Sequence, residues 1–199
     1  MAKDIALLTL HGMGKIQSDY ADELKHEVSS AMGKSDWAKV HFEPIFFSDI
    51  LQEDQDRVWK DMKKKELDWT KLRRFLLFGF SDAAGLEHKA AYPNSPYREA
   101  QTRILQALDR TFSHFGNMSK PVILVAQSLG CQVISNYIWD AQAKTARRGV
   151  WVKPTSTIPK GSPQDKFRRL KSLRYLFTTG CNIPIFLAGF NEKDRGCPR

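Results

Sequence analysis

The chain has little that would carry metal, disulfide or membrane chemistry. Its 199 residues include only three cysteines, Cys131, Cys181 and Cys197. An odd number with no metal-ligand spacing to histidine argues against a disulfide framework or a zinc site. A reduced, cytoplasmic setting is the simplest expectation. No apolar run approaches the ~20 residues needed to span a bilayer, so no integral membrane segment is expected. The start, Met1-Ala2-Lys3-Asp4, leads directly into an apolar run and offers no signal-peptide core. There is no internal repeat and no low-complexity tract. Zinc-finger spacing, ribonucleoprotein-type aromatics and a helix-turn-helix signal are missing as well, so a nucleic-acid partner is not expected.

What is present is ordinary globular material, 42% apolar and 27% charged, with a net charge of +9. Basic residues gather at Lys60 to Lys65, Lys71 to Arg74, Arg147-Arg148 and Lys166 to Arg174. Without a binding module these read as solvated surface, with attraction to anionic substrates or a membrane surface left open. The length suits one domain over 1–199.

Four apolar runs read as buried strands: Ile5 to Leu10, Val40 to Phe47, Val122 to Val125 and Leu173 to Thr178. Pro44 argues that the second lies at an edge or is irregular. Between them, Asp19 to Met32 has helical spacing, with Tyr20, Leu24, Val28 and Ala31 inward and Gly33 as the stop. Gln52 to Lys65 reads as an exposed helix. Tyr97 to Phe115 reads as a helix with Ile104, Leu105, Leu108 and Phe112 on one face. Lys144 to Asp165, rich in Pro, Gly, Ser and Thr, reads as a loop. Asp68 to Pro96 is an excursion with two readings, a lid or pocket wall over the top of the fold, or an ordinary core helix at Leu72 to Leu77. Strands alternating with helices predict an α/β fold. It would be three-layered and doubly wound, on a mainly parallel sheet of four or more strands.

The most informative stretch is Pro121 to Asp140. Its apolar strand turns through Ala126-Gln127-Ser128-Leu129-Gly130 into a helix with Leu129, Val133, Ile134, Tyr137 and Ile138 on one face. A serine on a cramped strand-to-helix turn needs small residues two before and two after it. Ala126 and Gly130 meet that requirement, Ala126 standing where Gly is usual. A serine capping a helix would give the same local pattern. The second stretch is His11-Gly12-Met13-Gly14-Lys15, directly after the first strand. Its glycines would let the loop approach the serine. Met13 is the best placed to supply one of the two N–H donors that acyl transfer needs, Leu129 the other. A phosphate-binding loop is disfavoured, because that motif needs four residues between its first glycine and the Gly-Lys pair, then Ser or Thr. His11 reads as a brace for the loop.

Together, His11-Gly12-Met13 after one strand, Ala126-Gln127-Ser128-Leu129-Gly130 after another and Phe177-Thr178-Thr179-Gly180 resemble the α/β-hydrolase superfamily in its lipase/esterase-like branch. The resemblance implies that Ser128 is the nucleophile, with Met13 and Leu129 as oxyanion donors. It also implies hydrolysis of a small-molecule acyl ester or related bond, without metal or organic cofactor.

The family's triad runs serine, acid, histidine along the chain. Here the histidines are His11, His26, His41, His88 and His114, and none follows Ser128. Acids do follow, at Asp140, Asp165, Glu192 and Asp194. The expectation is a chain lacking the part that carries acid and histidine, with activity impaired and an unpaired sheet edge at Leu173 to Thr178 that invites self-association. The competing expectation is a base from elsewhere, His88 with Asp82. A non-catalytic hydrolase-fold binding module with a basic surface is the alternative function.

Overall fold

The computed structural model describes residues 3–14, 16–65, 68–80, 92, 94–143, 148–152 and 157–181. Four strands, β1 (Ile5–Leu10), β2 (Val40–Ile45), β3 (Val122–Gln127) and β4 (Leu173–Thr179), form one all-parallel sheet in the order β2-β1-β3-β4. Helix α1 (Asp22–Trp37) joins β1 to β2. Helices α2 (Asp49–Lys64), α3 (Thr70–Phe75) and α4 (Pro96–His114) lie between β2 and β3. Helices α5 (Leu129–Gln142) and α6 (Pro163–Arg168) lead to β4. This is the α/β class that the alternating pattern predicts.

Pleating divides the sheet residues between two faces. Register pairs Leu8 with Leu124 and Leu10 with Ala126, so Ala6, Leu8, Leu10, Val122, Leu124 and Ala126 share one side. All six are buried in the main core. Helices α4, α5 and α6 cover that side through Ile104, Leu108, Phe112, Ile134, Tyr137 and Phe167, with the Phe112 and Phe167 rings 5.3 Å apart. The opposite side receives α1, whose Trp37 ring lies 6.0 Å from Phe42. Right-handed crossovers account for this: the chain steps from β1 outward to β2, but from β3 the other way to β4, which sends the connecting helices to opposite faces.

Several expectations are met with shifted edges. Among the described strands β2 lies at one edge of the sheet, and Pro44 sits in it. At Gly33 the backbone of α1 leaves helical geometry, with φ 76° and ψ 161°. Helix α1 buries less than its pattern suggests; Leu24 and Val28 are half-buried, whereas Ala31 is exposed. It packs on the outer strand β2, so only a narrow stripe of its surface meets apolar partners. Within the stretch read as a loop, Gly149–Trp151 forms a buried helical turn, with Trp151 packed 5.6 Å from the Tyr137 ring.

In the 68–96 excursion, Leu72 and Leu76 are exposed and Phe78 alone of the large apolar side chains described there is buried. The core-helix reading of Leu72 to Leu77 is thereby corrected: a six-residue helix running along the surface cannot bury both. Residues 81–91, including Asp82 and His88, lie outside the described residues. On the far side, β4 is outermost among the described strands, with Tyr175 62% and Phe177 54% exposed. No described helix is long and apolar enough to cross a membrane.

Candidate active site

The strand order reverses direction between β1 and β3, so a crevice is expected beyond their carboxyl ends. Two segments from the sequence analysis meet there. β3 ends at Gln127, α5 begins at Leu129, and Ser128 between them has φ 49° and ψ −116°. A side chain in that region stores about 1–3 kcal/mol and persists only where its surroundings hold it. Here the Ser128 N–H donates to the Thr179 carbonyl at 2.8 Å, and the Ser128 carbonyl accepts from the Cys131 N–H at 3.0 Å. β4 and the first turn of α5 thus clamp the bend from both sides.

The small neighbours have identifiable jobs. A methyl group built on Gly130 would stand 2.5 Å from the His11 carbonyl oxygen and 3.0 Å from the Leu10 Cβ. Helix α5 therefore starts directly against the end of β1, and only a residue without a side chain lets it. Ala126 is fully buried, and its carbonyl accepts from the Cys131 thiol at 3.3 Å. Burial chiefly, and then the neighbouring Cys181, push the Cys131 thiol up to about 11, which keeps it protonated and inert. Gln127 is exposed and Ser128 half-buried.

The loop after β1 reaches the serine from the other side. A methyl group on Gly12 would lie 3.1 Å from the Ser128 Cβ and 3.7 Å from its Oγ. Gly12 is buried, and Met13 is half-buried against the core. His11 organises this loop. Its Nδ1–H donates to the Gly12 carbonyl at 2.8 Å, while Nε2 accepts the Phe47 N–H at 3.0 Å. The ring stacks on Phe47, with centroids 3.9 Å apart. An acceptor at Nε2 requires the neutral ring, and burial lowers the His11 pKa to about 4. Both ring nitrogens are occupied, so His11 braces and does not abstract protons.

Two further braces escape sequence reading. The Ser48 hydroxyl donates to the Gly14 carbonyl at 3.0 Å and accepts the Ile16 N–H at 3.3 Å. The Tyr20 hydroxyl lies 2.8 Å from the Thr9 carbonyl and accepts the Ile45 N–H at 3.2 Å, joining the ends of β1 and β2. Burial pushes Tyr20 up to about 12, so it stays protonated. Ser48 follows a strand and precedes a helix, which is a capping signal; its use on a loop 32 residues away has no local signature.

Substituting Gly12 tests the contact. Gly12→Ala is expected to slow modification of Ser128 by about tenfold or more, since small misplacements beside a reacting atom are costly. The melting temperature should move by only a few degrees. Equal reactivity of the two proteins would place the loop away from the serine.

No described histidine other than His11 comes near. Register sets His41 level with Ala6 and Val122, roughly 20 Å of strand away from Ser128. It pairs with Glu43 at 3.2 Å, and its ring lies tilted 4.4 Å from that of His114, whose helix ends at that same end of the sheet. His26 is exposed on α1. Among the acids, Asp140 lies about 18 Å along α5 from the bend. It is buried and bound by the Tyr97 hydroxyl at 2.5 Å, Gln101 Nε2 at 2.8 Å and Arg148 at 3.3 Å. Asp165 is held by Arg169 at 3.1 Å and by the Gly161 N–H at 2.8 Å. Both acids therefore serve structure. Glu192 and Asp194 lie outside the described residues.

Between α4 and α5, Tyr97, Leu129, Gln132 and Val133 line a cavity of about 10 Å³, room for one water at most and too small for an acyl chain. Among the described residues no cluster of three His, Cys, Asp or Glu could hold a metal ion. Arg168 turns inward onto Asp109 through two contacts of 2.6 Å, and Arg169 onto Asp165, so the Lys166 to Arg174 stretch is only partly a free cationic face. No family model, curated protein or solved structure matches the chain.

Proposed function

We propose that this is an α/β-hydrolase-like serine hydrolase of the esterase/lipase type. Its substrate would be a small-molecule acyl ester or a related acyl compound. The reading is carried by the Ser128 backbone, held in a strained conformation at the carboxyl end of β3 with Gly12 against its side chain. In the mechanism, Ser128 Oγ attacks the acyl carbonyl carbon and its proton passes to a general base. The tetrahedral oxyanion takes hydrogen bonds from the Leu129 and Met13 N–H groups. Leu129 opens a helix whose first N–H groups have no intrahelical acceptor and whose dipole favours negative charge there. Collapse expels the alcohol, and water attacks the acyl-enzyme to release the acid. The base and its orienting acid would come from outside the described residues, since an unassisted serine hydroxyl is a poor nucleophile at neutral pH. The free thiols of Cys131 and Cys181 suit the reducing, cytoplasmic setting we propose.

One observation favours a second reading. No described histidine stands ready as a base for Ser128, His11 having both ring nitrogens engaged, as a non-catalytic hydrolase-fold binding module with a basic surface would have it. A fluorophosphonate probe separates the two. We expect covalent labelling that maps to Ser128 and vanishes in Ser128→Ala. A folded protein left unlabelled would make the binding module the better account.

A further inference from the structure

The surface that follows α2 has a composition the hydrolase reading does not use. Trp69 is 75% exposed, Leu72 46% and Leu76 44%. Leu72 and Leu76 stand at i and i+4, on α3 and at the start of its continuation through a π-turn, Leu76–Phe80, a spacing that sets them on one helical face. Trp69 precedes them at the entry to α3 in a left-handed backbone conformation, φ 62° and ψ 36°. The Arg73 N–H already bonds the Trp69 carbonyl at 2.9 Å, so Trp69 opens the first turn. The segment is anchored from beneath. Phe78 is buried, with its ring 6.3 Å from Trp59 of α2 and the Arg74 guanidinium 5.9 Å from its centroid. The outward apolar stripe thus belongs to an element packed against the body of the protein.

Cations flank the stripe along the chain. Lys63, Lys64 and Lys65 at the end of α2, and Lys71, Arg73 and Arg74 on α3, are all exposed. Over residues 61–74 these six cations outnumber three carboxylates, Asp61, Glu66 and Asp68. Asp61 pairs with Lys64 at 2.9 Å, and the Asp68 backbone carbonyl accepts from Arg73 Nε at 2.7 Å. Basic residues beside exposed Trp and Leu side chains are what an interfacial helix needs. The ring and aliphatic side chains enter the headgroup–acyl boundary while the cations meet anionic headgroups. Nucleic acid would engage the same cations, but it gains little from two leucines, since single strands are held by stacking on aromatic rings.

We propose that the α2–α3 surface docks on an anionic lipid bilayer, with Trp69, Leu72 and Leu76 entering the interface and the lysines and arginines that flank them reading its charge. The proposal goes beyond the hydrolase reading and does not depend on it. Flotation of the full chain with phosphatidylcholine vesicles, with and without phosphatidylglycerol, tests it. Binding is expected only to the mixed vesicles and should weaken as salt rises. The variant Trp69→Ala/Leu72→Ala/Leu76→Ala should lose at least about tenfold of that binding while keeping its melting temperature, because its three side chains stand exposed. Lys71→Glu/Arg73→Glu/Arg74→Glu should lose it as well. No binding to anionic vesicles at low salt would overturn the proposal, and so would full binding by the apolar variant. Retention on DNA that competes with vesicles and ignores the apolar variant would assign the surface to nucleic acid instead. Labelling of Ser128 by a soluble probe needs no vesicle, so either reading can fail without the other.

Discussion

Gly130→Ala is expected to lower stability by about 3 kcal/mol or more and to abolish labelling of Ser128. The added methyl group would stand 2.5 Å from the His11 carbonyl oxygen and 3.0 Å from the Leu10 carbonyl oxygen. Both are backbone atoms at the end of a central strand, and neither can swing aside as a flexible side chain would. Overpacking in a tight interior typically costs about 1–3 kcal/mol, and a collision with fixed backbone belongs at or beyond the top of that range. Relief requires α5 to retreat from β1, which also pulls the bend at Ser128 away from the Gly12 loop. For a chain of this size the fall in melting temperature should be about 6–12 °C. Thermal denaturation of the variant beside Gly12→Ala gives the comparison. A melting temperature within a degree of the parent would mean that α5 does not start against the end of β1.

Mild acid should act on the same place. His11 has an ordinary pKa of 6.5 in the unfolded chain and about 4 in the folded one. The unfolded state therefore takes up a proton first as pH falls. Stability from the neutral ring is fully present above about pH 6.5 and drains away between there and pH 4. At 1.36 kcal/mol per pKa unit the whole effect is roughly 3 kcal/mol, of which about 2 kcal/mol is lost between pH 7 and pH 5. Urea unfolding at those two pH values measures it, with His11→Gln as the control that flattens the slope. Protonation removes the acceptor for the Phe47 N–H and frees the loop that carries Gly12 and Met13. In the folded chain that protonation comes only near pH 4, so labelling of Ser128 should hold to about pH 5 and decline below it. A stability unchanged between pH 7 and pH 5 would show that His11 titrates as an ordinary surface histidine does.

Much of this site is legible before any coordinates. Val122 to Val125 is apolar and β-branched, the bend residues are small, and the apolar spacing after Leu129 is helical; each signal is local and each is met. Pro44 signals an edge or an irregularity because an interior strand needs both of its hydrogen-bonding rows, and among the described strands β2 lies at an edge. Leu72 to Leu77 misleads, because apolar residues at helical spacing do not say whether a core lies beside them. Trp151 misleads in the opposite direction: it sits in a turn-rich stretch, yet Tyr137 and the Arg169 guanidinium, 4.4 Å from its ring, enclose it. Asp140 reads along the chain only as one of the acids that follow Ser128 and proves to be a buried junction for Tyr97, Gln101 and Arg148.

The chain's own order of residues was sufficient for the elements and for the bend, since strand, turn and helix preferences act over a few neighbours. It took the tertiary arrangement to bring position 12 against position 128, to join His11 to Phe47 and Gly14 to Ser48, and to leave Trp69 facing outward. Parallel pairing is the reason. Once Leu10 is aligned with both Ile45 and Ala126, the loops that follow the three strands must emerge side by side, and contacts across 32 to more than 100 residues follow from a register that no local signal encodes.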